Sequence, residues 1–292
     1  MAVRLYLPRA WAEDAERRQN ARVPPEVPFQ TKPEMALMLL DQARACGEPH
    51  RCVVADAGYG DNPHCLAVLE AQQEPYAMGV CADFRVSHQR QGTSPSQRVD
   101  QLLQALPRWQ WRTIRRRQGT KGWLRKKFVA VRCWRITREG QRPVGWLMGE
   151  RATRSQPEER KYYWSNLPSA AAVDELAGYA QRQYASEPFH EGAKGEVGWG
   201  QYQGRLWPGF HRHTATVMLA YSFLVWLELR PRHGLRGWGP LRDPMSPSPG
   251  PTAAHVAGDP SGGRPVAPPP SGPVVGHNRS VHRTLLTKVL TK

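Results

Sequence analysis

The sequence predicts an α/β protein with a parallel pair of strands near its start, a β-rich middle and a long unstructured tail. Three observations carry this. Between residues 32 and 81 the apolar pattern alternates helix, strand, helix, strand; from 82 to 168 it breaks into short strands; from 231 onward proline and glycine dominate without periodicity. Alternation of the first kind is the signature of parallel pairing with helices laid on the sheet.

Val3 to Leu7 read as the end of a strand, followed by a polar connection broken by prolines. In "KPEMALMLLDQARA" (32–45) apolar residues recur at helical spacing, and Pro33 falls in the first turn, where its missing N–H costs nothing. Next comes "HRCVVADAGYGDN" (50–62), in which Cys52 to Ala55 form a short buried strand ending on Asp56. Gly58 and Gly60 then let the backbone turn tightly around Tyr59. Open α/β sheets place their chemistry at the carboxyl ends of strands, so Asp56 is a candidate catalytic acid. A carboxylate there is equally a helix cap, and the stretch alone leaves both readings open. "NPHCLAVLEAQ" supplies a second helix and "PYAMGVC" a second strand.

In the middle region, "LPRWQWRTIRRRQGTKGWLRKK" (106–127) interleaves Arg115, Arg116, Arg117, Lys126 and Lys127 with Trp109, Trp111 and Trp123. Cations mixed with aromatic rings suit a phosphate backbone and stacked or flipped bases. Any single tryptophan is equally ordinary filling for a β-sheet core. "FVAVRCWRI", "RPVGWLMGER" and "KYYWSNLP" read as three strands separated by turns. Helical patterning returns from Ala170, and "TATVMLAYSFLVWL" (214–227), shorter than the ~20 residues of a membrane span, reads as a buried helix. The proline-rich remainder cannot bury enough apolar surface to offset chain entropy and is expected to be disordered and dispensable for the fold.

Composition narrows the partners. Forty-one Lys and Arg against 25 Asp and Glu give a net charge of +16, so an acidic polymer is the natural ligand. The five cysteines show no paired or metal-finger spacing, which points to reduced thiols and the cytoplasm.

A second acid stands in "YAQRQYASEPFHEGAKGEVGWGQYQGRLWPGFHRH". Glu187 and Lys194 lie seven apart, on one face of a helix, with Arg182 flanking that face. By itself the pattern is equally a solvated ladder of ion pairs. "ADAGYG" after a strand, then E-x6-K on a helix followed by "GxxQYQGRxWxGxHRH", together resemble insertion-sequence transposases of the DDE superfamily. Smaller matches in "LYLPRAWAEDAERR" and "FQTKPE" extend the resemblance over about residues 1–230.

The resemblance implies a partial RNase H-like core at 1–81, a β-rich basic insertion at 82–168, the last core helices at 169–230 and a tail at 231–292. It maps the second catalytic acid to Asp56 and the third to Glu187, both as metal ligands. It implies two Mg²⁺ (or Mn²⁺) ions, cleavage and transfer of DNA strands, and contacts to transposon ends from Tyr179, Arg182, Lys194 and the basic insertion. Trp123, Trp134 and Trp146 are its candidate stacking residues. The arginine of the helix signature belongs four residues before the glutamate, where Gln183 stands. No strand ending in aspartate precedes Asp56; Asp14 and Asp41, the only earlier aspartates, lie in a polar segment and within a helix. The expectation is therefore a partial chain, inactive alone for want of the first acid, with an unpaired edge on the Asp56 strand. The missing half or a full-length transposase would be a partner. The alternative is a DNA-binding protein of transposase descent that has lost its chemistry.

Overall fold

The computed structural model describes residues 3–87, 96–119, 122–137, 140–152, 160–183, 186–229 and 285–286, with the backbone alone at 116–119, 122–124 and 285–286. The amino-terminal part carries helices α1 (Arg9–Ala12), α2 (Ala15–Asn20) and α3 (Lys32–Ala45), then strand β1 (Val53–Ala55), helices α4 (Ala57–Gly60) and α5 (Pro63–Ala71), and strand β2 (Tyr76–Val80). The middle holds β3 (Arg85–Ser87), β4 (Gln97–Arg98), α6 (Val99–Ala105), β5 (Arg112–Gly119), β6 (Gly122–Arg135), β7 (Val144–Ala152) and β8 (Arg160–Ser165). Helices α7 (Val173–Arg182), α8 (Ser186–Gly195) and α9 (Trp207–Leu229) follow, and Leu285–Leu286 form β9. The described residues up to Leu224, with 285–286, belong to one compact unit.

Local chemistry sets the early elements. Helix α3 starts at a capping box in which the Thr31 hydroxyl accepts from the Glu34 N–H while the Glu34 carboxylate accepts from the Thr31 N–H. Asn62 caps α5 by accepting from the Cys65 N–H at 2.9 Å, with Pro63 in the first turn. β1 and β2 are buried along their whole length and pair in parallel, Val54 opposite Ala77, as the alternating pattern predicts.

The β-rich region does not stand apart from this core. The sheet runs β4–β3–β6–β7–β8–β2–β1–β9, with β5 paired to β6. β8 joins the amino-terminal strands directly, Met78 opposite Trp164 in antiparallel register. Successive residues then face opposite layers. Val53, Met78, Val129, Leu147 and Trp164 pack with α3, α5 and α6 on one side. Val54, Ala77, Phe128, Met148 and Tyr163 pack with Leu176, Ala177, Tyr179 and Ala180 of α7 on the other. The result is a three-layer α/β core with one continuous sheet.

Four expectations change. Val3–Leu7 join no strand among the described residues; Leu5 and Leu7 instead pack on Ala21, Val23, Val27 and Trp207. The basic segment is itself a strand, β5, paired antiparallel with β6. The edge of β1 is occupied over two residues, Val53 opposite Leu285 and Val54 opposite Leu286; the rest of the tail lies outside the described residues. Helix α9 is buried only at Trp207, Phe210, Thr214 and Val217, and leaves Leu219, Phe223 and Trp226 exposed. Apolar residues all round this helix give the periodicity no preferred face, so the pattern could not distinguish the covered turns from the uncovered ones. No helix among the described residues is long and apolar enough to cross a membrane.

This packing sets two expectations. A Cβ on Gly60 would overlap the Gly79 carbonyl oxygen. Gly60→Ala should therefore lower stability by about 2 kcal/mol or more, since backbone cannot step aside as a side chain can. Gly195→Ala, which meets nothing within 4 Å, is the matched control in thermal denaturation. The second concerns His211, half-buried on α9, whose Nδ1–H donates to the Trp207 carbonyl at 2.9 Å. Burial, and then Arg4, hold its pKa below the ordinary 6.5 despite that bond. The neutral ring is thus favoured in the folded state. Its contribution is present above pH 6.5 and lost as pH falls through the lower folded value, and His211→Gln should flatten that part of the denaturation profile.

Candidate active site

Asp56 follows the last residue of β1 and is exposed. Its Oδ1 accepts a hydrogen bond from the Gly58 N–H at 3.0 Å, capping the single turn of α4. Both readings of the sequence thus meet in one residue: the carboxylate is a cap and also stands at the carboxyl end of a core strand. The following turn is fixed by Asp61, which accepts from the Cys81 N–H at 3.0 and 3.1 Å and so ties the end of α4 to the end of β2. That carboxylate also pushes the Cys81 thiol up to about 11, with burial adding to the effect.

Helix α7 ends at Arg182, with Gln183 as its C-cap, and α8 begins at Ser186. The signature is therefore divided between two helices, so Arg182 does not share a helix face with Glu187 as its spacing suggested. Pro188 falls in the first turn of α8, where its missing N–H costs nothing. Tyr179 is buried on α7 among Val54 and Ala77, and burial raises its pKa. Arg182 is half-buried in the last turn.

Glu187 lies in the first turn of α8 and Lys194 in the last, both exposed. An acid at the positive end and a cation at the negative end also suit the helix dipole. The helix is held against α9: the Tyr221 hydroxyl donates to the Pro188 carbonyl at 3.2 Å, and the Phe189 and Tyr221 rings meet edge-on at 5.1 Å. His190 stacks on Trp199 at 5.5 Å.

Gln183 connects the two halves. A Cβ on Gly79 of β2 would lie 3.1 Å from Gln183 Oε1, 3.1 Å from the Ala57 nitrogen and 3.2 Å from the Asp56 carbonyl carbon. The junction before α8 therefore reaches the turn that carries Asp56. Among the described residues no hydrogen-bond partner meets the buried Gln183 Oε1. In the sequence Gln183 stands out only as a departure from an expected arginine; its place beside Asp56 depends on a β2 glycine more than one hundred residues away along the chain.

The earlier aspartates have other roles. Asp14 caps α2, accepting from the Arg17 N–H at 3.0 Å and pairing with the Arg17 side chain at 3.1 Å. Asp41 pairs with Arg44 on α3 at 3.0 Å. Carboxylates are the right ligands for a hard cation such as Mg²⁺. Among the described residues, however, no group of three or more His, Cys, Asp or Glu side chains is arranged to hold a metal ion. The described donor set does not fit a two-metal centre.

On the basic hairpin, Arg115 is exposed and stands opposite Arg125 in the β5–β6 ladder. Like charges directly opposite on paired strands are unfavourable. Lys126 lies 3.9 Å from the buried Glu150 and Lys127 is half-buried. The side chains of Arg116, Arg117 and Trp123 lie outside the described residues. Trp134 is half-buried, and Trp146 donates to the Pro168 carbonyl at 3.0 Å with Arg132 over its ring. Trp109, 80% exposed beside the exposed Arg108, is a ring that the resemblance does not single out for stacking.

Asp56 can be tested as cap and as acid separately. Asp56→Asn keeps a capping oxygen and should leave the melting temperature nearly unchanged, whereas Asp56→Ala should cost about 1 kcal/mol. If the two variants melt alike, the cap contributes nothing.

Comparison with known proteins bears on this geometry. No curated protein matches the chain. Residues 1–123 match the family model described as DDE superfamily endonuclease, a span that takes in the Asp56 strand end and β5 and stops before α7 and α8. With an acid ending a core strand of an α/β sheet and that match across it, residues 1–123 are similar to the endonucleases of the DDE superfamily.

Proposed function

We propose that this chain is a DNA-binding protein of transposase descent that does not cut or join DNA by itself. In this reading Asp56 and Glu187 correspond to two of the three acids with which a complete site would hold divalent metal ions, and by themselves they do not make that site. The observation that carries the pairing is the approach of Gln183 to the Asp56–Ala57 turn, four residues ahead of Glu187. Lys194, two turns along α8, would meet a phosphate as a point charge. Arg182 would add charge at the helix junction, and buried Tyr179 would hold α7 in place beneath it.

The basic hairpin supports DNA as the ligand. Arg112, Arg115 and Arg125 are exposed on β5 and β6, and Trp109 is exposed one turn before β5. Arg116, Arg117, Lys126 and Lys127 extend the same positive run. Transposon ends are the proposed DNA, and a full-length transposase is the proposed protein partner. Two carboxylates without a third would forfeit several kcal/mol of transition-state stabilisation, and each ~1.4 kcal/mol is a factor of ten in rate.

Binding to duplex DNA should be electrostatic, with log K falling linearly as log salt rises. Replacing Arg115 and Arg125 by Ala should flatten that slope by roughly one to two, in proportion to the phosphates no longer neutralised. Lys126 is avoided because its loss would strip a cation from buried Glu150. Equal binding at low and high salt would contradict the proposal. For the chemistry, purified protein is incubated with Mg²⁺ or Mn²⁺ and DNA carrying the flanking element ends. The expectation is no nicking; nicking that vanishes in both Asp56→Asn and Glu187→Gln would show a complete site.

A further inference from the structure

The motif "QYQGRLWPGFHRH" has no role in the site above, yet it is folded with unusual closeness. A Cβ on Gly204 or on Gly209 would press on the Tyr202 ring and hydroxyl, which would have to shift to admit it. The Tyr202 ring stacks on His213 with centroids 5.0 Å apart, and its hydroxyl donates to the Leu206 carbonyl at 3.3 Å. The Trp207 N–H donates to the Ala21 carbonyl at 2.8 Å, fastening the start of α9 to the amino-terminal segment.

Between these parts lies a cavity of about 320 Å³. Among its described lining residues Tyr6, Trp11, Tyr202, Trp207 and Phe210 are aromatic, Arg205 is charged and the rest are small or aliphatic. Cations outside the lining attend three of those rings: Arg4 lies 5.3 Å from the centre of Trp207, Arg17 5.7 Å from Trp11 and Lys32 5.6 Å from Tyr6. The volume is at the small end for ligand pockets. A hydrocarbon guest would have no use for the positive charge, and a simple anion would have no use for the rings. Flat rings beside cations suit a guest that is planar, π-rich and negatively charged.

We propose that this cavity binds a single unstacked nucleobase, with the attached phosphate on Arg205. The inference rests on the chain binding DNA, but it requires neither the acids nor a metal, so it can be tested apart from them. The probe is a short single strand with 2-aminopurine at its centre, compared with the same strand abasic at that position. Binding is read by probe fluorescence for the first and by competition for the second.

The base-bearing strand should bind wild-type protein about tenfold more tightly than the abasic one, the scale of one stacked base. Trp11→Ala should remove that difference. Trp11 is exposed and its four-residue helix buries nothing, so the fold should survive the change. Trp11→Phe, which keeps an aromatic face, should restore most of the difference. Arg205→Gln should weaken both strands alike, because it removes a phosphate contact and leaves the rings. Equal binding of the two strands to wild-type protein would overturn the proposal, as would a difference that survives Trp11→Ala. Failure of duplex binding in the salt series would instead overturn the proposed function.

Discussion

The closest approach in the core is between backbones. Gly60 ends the single turn after Asp56, and the carbonyl of Gly79 on β2 occupies the space where a side chain at Gly60 would sit. Gly79 in turn faces the Asp56–Ala57 peptide and Gln183. Two missing side chains therefore let three chain segments meet at one strand end. Without them α4 would stand off the sheet, the Asp56 carboxylate would shift with it, and the junction before α8 would lose its seat. The glycines around Tyr59 that stand out in the sequence are explained as much by this packing as by the turn they make.

Much of the layered core was legible because its signals are local. The Thr31–Glu34 capping box, Pro33, Asn62 and the run from Val53 to Ala55 each announce an element without reference to anything distant. The three strands after residue 127 are likewise marked by alternation and turns. What escaped depends on partners far along the chain. Val3–Leu7 has a strand's composition but packs on Trp207. The arginines of β5 masked a strand whose pairing comes from β6. Residues 82–168 have the look of a separate insertion, yet β8 hydrogen-bonds to β2 and makes the sheet continuous.

The candidate site was half legible for the same reason. Asp56 was visible from the strand it ends, and Glu187 with Lys194 from helical spacing. Spacing alone also carried the helix back through Arg182, which instead ends α7 while Glu187 stands in the first turn of α8. Gln183, in the place of an expected arginine, puts a neutral amide beside the Asp56 turn. An arginine there would have added positive charge near the strand end, which the neutral amide does not.

The exposed half of α9 has a practical consequence. Leu219, Phe223 and Trp226 recur at spacings of four and three and face water, while the chain as a whole carries a charge of +16. Stripping nucleic acid from so basic a protein calls for concentrated salt, which screens its phosphate contacts. Salts such as sulfate also strengthen apolar association, so the treatment that cleans the charged surface makes the helix stickier. Purification would face opposing demands, and chloride with a mild detergent would serve better than sulfate precipitation.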